Sequence, residues 1–297
     1  MLLQRDEVTA DKPDTYGRTP LYSAAWNGHE GVVKMLLKRD EVNLDIVDNK
    51  GYTALSGAAF NGHEGVVKIL LQRDDVNPDK LDVYGGTPLY STSWNGHEGV
   101  VKMLLERDEV NPDKQDNQGQ TALSGAAFNG HEGVVKTFLE LDDVNPDKPD
   151  KDGRTPLTAA AWNGHEGVVK MLLERDEVNP DKPAISSGTP LTRAAFNRHE
   201  GVVKMLLEQD AGNPNKQGIA GQTPLFGAAG GGHVGAVKIL LERDEVNPDN
   251  VDSDGRTSLR CAALTGQEEV VKILLERGEV NPDRPDIYGR TPLLCAA

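Results

Sequence analysis

Histidine is the side chain best suited to acid–base chemistry and metal binding near neutral pH, and this sequence places all seven of its histidines at one position of a 34-residue period. They are His29, His63, His97, His131, His165, His199 and His233. Equivalent positions of stacked helical repeats lie roughly 10 Å apart, whereas each nitrogen ligand of zinc lies about 2 Å from the metal. We therefore expect these rings to bond to the backbone of turns. No histidine is left over to act as the general base of a serine or cysteine nucleophile.

Three further patterns resemble chemical sites but fit a scaffold better. Residues 230–235 read Gly-Gly-Gly-His-Val-Gly, but the segment before them is in register with a helix, whereas a dinucleotide fingerprint follows a strand. Residues 150–153 and 252–255 begin like calcium loops but lack the bidentate glutamate. Cys261 and Cys295 are one period apart, which is beyond disulfide reach. The sequence thus predicts no catalytic residue, no cofactor and no metal.

Composition narrows the classes of partner and location. The 297 residues carry a net charge of −15, which repels phosphate and argues against nucleic acid or an anionic membrane as the main partner. With two cysteines, no glycosylation sequon, no signal peptide and no long apolar run, nothing marks a secreted or membrane protein. We expect a cytoplasmic protein that binds other proteins or peptides.

The period itself predicts the architecture that positions these residues. One threonine recurs at intervals of 34: Thr19, Thr53, Thr87, Thr121, Thr155, Thr189, Thr223, Thr257 and Thr291. Counted from Asp14, eight complete repeats span residues 14–285, with partial repeats at 1–13 and 286–297. We expect a single domain over residues 1–297.

Residues 14–47 show how each repeat should fold. Asp14 and Gly17 are typical of a turn, and Thr19-Pro20 is typical of a helix start. A short helix with an apolar stripe should follow and end near Asn27-Gly28. A second helix should present valine and leucine on one side and lysine on the other.

Residues 150–173 carry the motif in its fullest form: Asp-x-x-Gly-x-Thr-Pro-Leu, then Ala-Ala-x-x-Gly-His and Val-Val-x-x-Leu-Leu. This motif resembles the ankyrin repeat, and the resemblance covers the whole chain. It implies an all-α solenoid of stacked helix–turn–helix repeats with β-hairpin-like tips, and a non-catalytic role in protein–protein interaction. The chain departs from the family in its 34-residue rather than 33-residue period and in lacking the histidine that usually follows Thr-Pro-Leu.

This variant of the repeat is similar to long arrays of filamentous fungi that lie behind an NLR-like nucleotide-binding domain. The resemblance implies that the chain is the sensing or docking segment of a larger protein. We expect its partial end repeats to promote end-to-end self-association, because solenoids need capping repeats for solubility. Residues 184–251 should be the weakest stretch, since Arg198 replaces a glycine there and the turn at Ala184 lacks its aspartate.

Two sets of residues are candidates for partner binding. In ankyrin arrays the hairpin tips and first helices line a concave groove, and the tips vary between repeats of this chain. The variable tip candidates are Tyr16, Arg18, Tyr52, Tyr84 and Arg154. Neutral drift at exposed positions is the alternative explanation of this variation.

The second set is one aromatic position on the first helix, which we call the aromatic column: Trp26, Phe60, Trp94, Phe128, Trp162 and Phe196. At 100° per residue this position lies about 140° from the Leu21 stripe, so the rings should point away from the core of their own repeat. Rings spaced roughly 10 Å apart would then form the centre of a binding groove. The alternatives are that the rings only seal the stack, or that the chain is a passive spacer.

Overall fold

The computed structural model describes residues 9–185, 188–208 and 212–296. Met1 and Ala297, the ends expected to self-associate, lie outside the described residues, as do Ser186 and Ser187 of the stretch expected to be weak. The chain divides into two compact units, Met1–Asn145 and Pro146–Ala297. We call them the N-terminal and C-terminal units.

The first helix of each repeat begins at its threonine, as the motif predicts. The Thr19 hydroxyl accepts a hydrogen bond from the main-chain N–H of Tyr22 at 3.1 Å, and Pro20 occupies the first helical position. This cap satisfies one of the N–H groups that a helix start leaves free. The helix ends seven residues later, because Gly28 adopts the left-handed conformation (φ +70°) that other residues disfavour.

The second helix packs its apolar side onto the first. In the second repeat Val66, Val67 and Leu70 are fully buried, together with Leu55 and Ala58 of the first helix. The opposite side carries glutamate and lysine in exposed pairs such as Glu30 and Lys34, 3.4 Å apart. Each repeat therefore buries an aliphatic core and exposes a charged outer helix.

In the N-terminal unit the described helices alternate between first and second helices of four repeats. They are α1 (Pro20–Trp26), α2 (Glu30–Leu36), α3 (Ala54–Phe60), α4 (Glu64–Leu71), α5 (Pro88–Trp94), α6 (Glu98–Leu105), α7 (Ala122–Asn129) and α8 (Glu132–Leu139).

The C-terminal unit continues the same alternation. Its described helices are α9 (Pro156–Asn163), α10 (Glu166–Leu173), α11 (Pro190–Phe196), α12 (Glu200–Glu208), α13 (Pro224–Gly230), α14 (Val234–Leu241), α15 (Ser258–Leu264), α16 (Glu268–Leu275) and α17 (Pro292–Ala296). A 3-10 turn, Ile219–Gly221, precedes α13.

Main-chain hydrogen bonds join successive hairpin tips within each unit. The N–H of Asn49 donates to the carbonyl of Tyr16 at 2.9 Å, and that of Asn117 donates to Tyr84 at 2.9 Å. In the loops, the N–H of Asn43 donates to the Asp11 carboxylate at 2.8 Å. These bonds recur with the repeat and hold neighbouring tips in register.

The observed fold is the expected all-α one, in which helix pairs with hairpin tips repeat within each unit. No helix in the described ranges is both long and apolar enough to cross a membrane. Within the described ranges two non-glycine residues have positive φ, Arg198 (+69°) and Ala220 (+61°). Both lie in the stretch 184–251 that the sequence marks as weak; its lower stability stays a prediction.

Candidate functional site

The aromatic column occupies the last turn of the first helices, where the side chains are only partly covered. Trp26 and Trp94 are half-buried, while the exposed fractions are 37% for Phe60, 40% for Phe128, 38% for Trp162 and 49% for Phe196. The aliphatic residues of the same helices, such as Leu55 and Leu123, are fully buried. The rings thus point away from the core of their own repeat, as the helical period predicts.

Within the N-terminal unit the rings stand in stacked pairs. The ring centroids of Trp26 and Phe60 are 5.6 Å apart with planes 15° from parallel, and those of Trp94 and Phe128 are 5.3 Å apart at 16°. The expectation of separate rings about 10 Å apart is therefore wrong for these pairs. The helices set the spacing of the backbones, but the long side chains lean toward one another until the rings touch.

A third ring, a tyrosine, contacts the tryptophan of each pair. Tyr22 stacks on Trp26 at 5.9 Å, and Tyr90 lies against Trp94 at 6.1 Å. The N-terminal unit thus carries two equivalent three-ring clusters, 68 residues apart. Each cluster takes its tryptophan and its phenylalanine from two successive column positions.

Glycines in the next repeat make room for the tryptophans. A Cβ atom at Gly57 would lie 3.2 Å from Trp26 Cε3, and one at Gly125 would lie 3.3 Å from Trp94 Cε3. The ring at the column position therefore lies over the residue four positions after the capping threonine of the next repeat. Part of each tryptophan packs against that helix and part remains open to solvent.

In the C-terminal unit a guanidinium takes the place of a stacking ring. The Arg193 guanidinium carbon lies 4.5 Å from the centroid of the Trp162 ring, within the range of a cation–π contact. Arg193 stands at the position that holds Gly57 and Gly125 in the N-terminal unit. The sequence analysis did not identify Arg193, although its place four residues after the capping threonine can be read from the sequence.

The histidines fix the main chain of the column. The Nε2 atom of His63 lies 3.0 Å from the carbonyl oxygen of Trp26, and that of His199 lies 2.9 Å from Trp162. His97, His131 and His233 make the equivalent bond, each to the carbonyl of a residue 37 positions earlier. For these five histidines the predicted bond to backbone is confirmed, but the acceptor is a helical residue, the column residue of the preceding repeat, and not a residue of a turn.

The candidate tip residues are held by aspartates at the start of each tip. Asp14 accepts from the main-chain N–H groups of Tyr16 and Arg18, and the Arg18 guanidinium lies 4.5 Å from the Tyr16 ring. Arg154 donates from Nε to the Asp150 carboxylate at 2.8 Å. These arginines are therefore paired within the tip and do not offer a free positive charge.

The tip tyrosines differ in exposure. Tyr16 and Tyr84 are exposed, whereas Tyr52 is partly buried and its hydroxyl faces Asp82. Burial and the negative charge of Asp82 raise the pKa of Tyr52 to about 12. The structure places Tyr16 and Tyr84 at the hairpin ends, and it places Tyr52 closer to the helices.

A buried ion pair near the last hairpin also escaped sequence reasoning. Arg260 is 2% exposed, and its guanidinium lies 2.7 Å from the carboxylate of Asp286. Arg290 donates to the same carboxylate at 2.8 Å. Burial alone would raise the pKa of Asp286, but hydrogen bonds from Arg290 and Tyr288 and the charge of Arg260 outweigh it and lower the pKa.

Across the described residues no group of histidine, cysteine, aspartate and glutamate side chains could hold a metal ion. The free thiol of Cys261 lies partly buried, and burial raises its pKa, the opposite of what a reactive thiolate needs.

Comparison with protein families identifies the repeat. The family described as "Ankyrin repeats (3 copies)" matches residues 40–116, 108–184, 191–286 and 245–297, and the family "Ankyrin repeat" matches residues 16–49. Among curated proteins, no sequence matches the chain. Ankyrin repeats are generally non-catalytic modules of protein–protein interaction. With these matches and the helix pairs described above, the chain belongs to the ankyrin repeat family.

Proposed function

We propose that the protein is a non-catalytic interaction module that binds a protein or peptide in the concave groove between its hairpin tips and first helices, as the sensing or docking segment of a larger protein. The observation that carries the proposal is the partial exposure of the aromatic column. Large rings that stay open to water in a free protein are typical of the centre of an interface.

The charge distribution supports a groove that recognises uncharged or basic surfaces. The described first helices hold only two charged side chains, Arg193 and Arg260, and Arg260 is buried. The described second helices carry acidic and basic side chains in nearly equal numbers, so the net charge of −15 comes from the loops after them and from the tips. That field would steer a basic partner toward the protein, while the rings would supply the contact area. Nucleic acid and anionic membranes would be repelled, and we place the protein in the cytoplasm.

The tip residues would frame the groove. Tyr16 and Tyr84 offer exposed rings with hydroxyl groups, which suit the rim of an interface. Arg18 and Arg154, already paired with aspartates, would contribute hydrogen bonds and little net charge. Tyr52, which is partly buried, would form part of the wall of the groove.

One observation favours a second candidate function, a passive spacer. The tryptophans stack on phenylalanines and cover glycines of the next repeat, so the column also seals the stack. A spacer would need the rings for stability alone.

Selection from a displayed peptide library separates the two functions. An interaction module should enrich peptides that bind with a measurable Kd, and a Trp94→Ala/Phe128→Ala variant should lose them. A spacer should enrich none, or peptides that bind the variant equally well.

A further inference from the structure

The seventh repeat lacks a ring at the column position. Gly230 stands where the six preceding repeats carry Trp or Phe, and Gly231 replaces the asparagine after it. A cavity of about 290 Å³ lies at this place in the C-terminal unit. Its lining includes Phe196, Phe226, Gly230, Gly231, Arg256 and Cys261.

The cavity corresponds to the space that the chain fills with its own rings elsewhere. Trp94 lies over Gly125 of the next repeat, and by the same offset a ring at position 230 would lie over Cys261. A Cβ atom at Gly230 would indeed lie 2.6 Å from the Cys261 sulfur. Cys261 is therefore the floor of the space that a column ring would occupy.

The aromatic residues that line the cavity stand at positions that column rings contact in other repeats. Phe196, the preceding column residue, is 49% exposed, and no ring stacks on it among the described residues. Phe226 occupies the position from which Tyr22 and Tyr90 contact their tryptophans, and it is buried. A ring in the cavity would thus contact two aromatic rings, those of Phe196 and Phe226.

The charged group at the rim is neutralised. Arg256 lies 5.8 Å from the Phe226 centroid, and its guanidinium is paired with the buried carboxylate of Asp252 and with Asp254. The cavity therefore offers no unpaired charge to a carboxylate or an ammonium. Its volume lies just below the roughly 300–1,000 Å³ of pockets for whole ligands, which suits one side chain.

We propose that this pocket receives one uncharged aromatic side chain, of phenylalanine, tyrosine or tryptophan, from the protein or peptide partner. The partner would supply the ring that the seventh repeat lacks and continue the column. This inference rests on the proposed function, because it takes the column as the contact surface.

The thiol on the floor reports occupancy without knowledge of the partner. The folded 297-residue chain would be alkylated with iodoacetamide, and the reaction rate of Cys261 would be measured by digestion and mass spectrometry of samples taken over time. Cys295 serves as the internal reference. N-acetyl-L-phenylalaninamide should slow alkylation of Cys261 about fivefold at saturation and leave Cys295 unchanged. N-acetyl-L-leucinamide at the same concentration should slow it less than about twofold, since it lacks the stacking contribution. Equal protection by the two probes, or none by either, would overturn the proposal.

Filling the pocket from within provides a second test. Gly230→Phe should be made together with Cys261→Gly, the residue that the chain places under Trp26 and Trp94. On the Cys261→Gly background the added ring should raise the melting temperature by a few degrees, about 1 kcal/mol of stacking being worth that much in a domain of this size. A lower melting temperature would show that the space does not fit a ring.

The two proposals fail separately. If the amide probe does not protect Cys261 but selected peptides bind the N-terminal column, the pocket is refuted and the interaction function stands. If the probe protects Cys261 and no peptide is selected, the pocket's preference for an aromatic ring stands, and the interaction function is refuted together with the partner as the source of the ring.

Discussion

The Nε2 atom of His131 lies 2.9 Å from the main-chain oxygen of Trp94, so each histidine of this type ties its own repeat to the column residue of the repeat before. A ring nitrogen that bonds a carbonyl 37 residues away contributes to the stacking of repeats, whereas a catalytic or metal-binding histidine would face solvent or a ligand. The regular spacing of the histidines is therefore a property of the scaffold.

His131→Ala should lower the free energy of unfolding by about 1 kcal/mol, the typical net contribution of one hydrogen bond. His29→Ala is the matched control, because His29 has no cap or carbonyl partner among the described residues. Urea denaturation of both variants checks this. An equal decrease in the free energy of unfolding for the two variants would show that the bond to Trp94 contributes nothing.

Arg198→Gly should stabilise the C-terminal unit. Arg198 has φ +69°, a conformation that costs a non-glycine residue roughly 1–2 kcal/mol. The larger backbone entropy of glycine in the unfolded chain offsets about 0.5–1 kcal/mol of that, so a net gain of up to about 1.5 kcal/mol is expected. The control is Gly164→Ala, at the same position one repeat earlier, with φ +76°, which should destabilise. A lower melting temperature for Arg198→Gly contradicts the prediction.

Asp286→Ala should destabilise the last hairpin by about 3 kcal/mol or more, because it leaves the Arg260 guanidinium buried without its carboxylate. Arg260→Met/Asp286→Ala should recover part of that loss, because it removes the unpaired guanidinium but not the loss of the carboxylate that accepts from the main-chain N–H groups of Tyr288 and Arg290. Hydrogen exchange of residues 252–296 measures both variants. If the double variant is no more stable than Asp286→Ala, the pair is not the cause.

The same ion pair predicts a response to acid. The pKa of Asp286 is lowered from 3.8 in the folded state, so the unfolded chain binds the proton more readily. The contribution to stability is therefore present above about pH 4 and is lost as the pH falls below that value. The free energy of unfolding, measured at pH 7 and at pH 3, should differ less between the two pH values for Arg260→Met/Asp286→Ala than for the natural sequence.

Self-association is expected through exposed leucines of the last described helices. Leu264, Leu275 and Leu293 are 55%, 49% and 76% exposed, and exposed apolar surface promotes association. Sedimentation velocity at increasing protein concentration should show reversible association, which Leu275→Lys should weaken. A monomer at every concentration would contradict this.

The period and caps of the fold could be predicted from the sequence because they depend on local rules. Threonine before proline starts a helix, glycine with positive φ ends one, and a fixed spacing repeats the result. That the repeats form a single domain stays a prediction, as do the binding roles of the column and the tips.

The detailed contacts of the candidate site could not be predicted. The spacing of Trp94 and Phe128 in the sequence gives the distance between helices, but the stacking of their rings depends on side-chain rotamers and on the space that Gly125 leaves. The contact of Arg193 with Trp162 joins positions 31 residues apart, and the burial of Arg260 depends on a partner in the next hairpin. Such contacts require the register between repeats, which composition and period do not supply.

The most direct test of the account is the affinity of a library-selected peptide for three forms of the protein, measured by isothermal titration calorimetry. The column variant Trp94→Ala/Phe128→Ala should bind at least about thirtyfold more weakly, because ring residues at an interface centre typically contribute about 2 kcal/mol or more each. The control variant Met35→Ala/Leu81→Ala removes two exposed apolar side chains of the same unit outside the column and should bind within about twofold of the natural sequence. Unchanged affinity of the column variant, with a loss of thermal stability instead, would show that the rings only seal the stack.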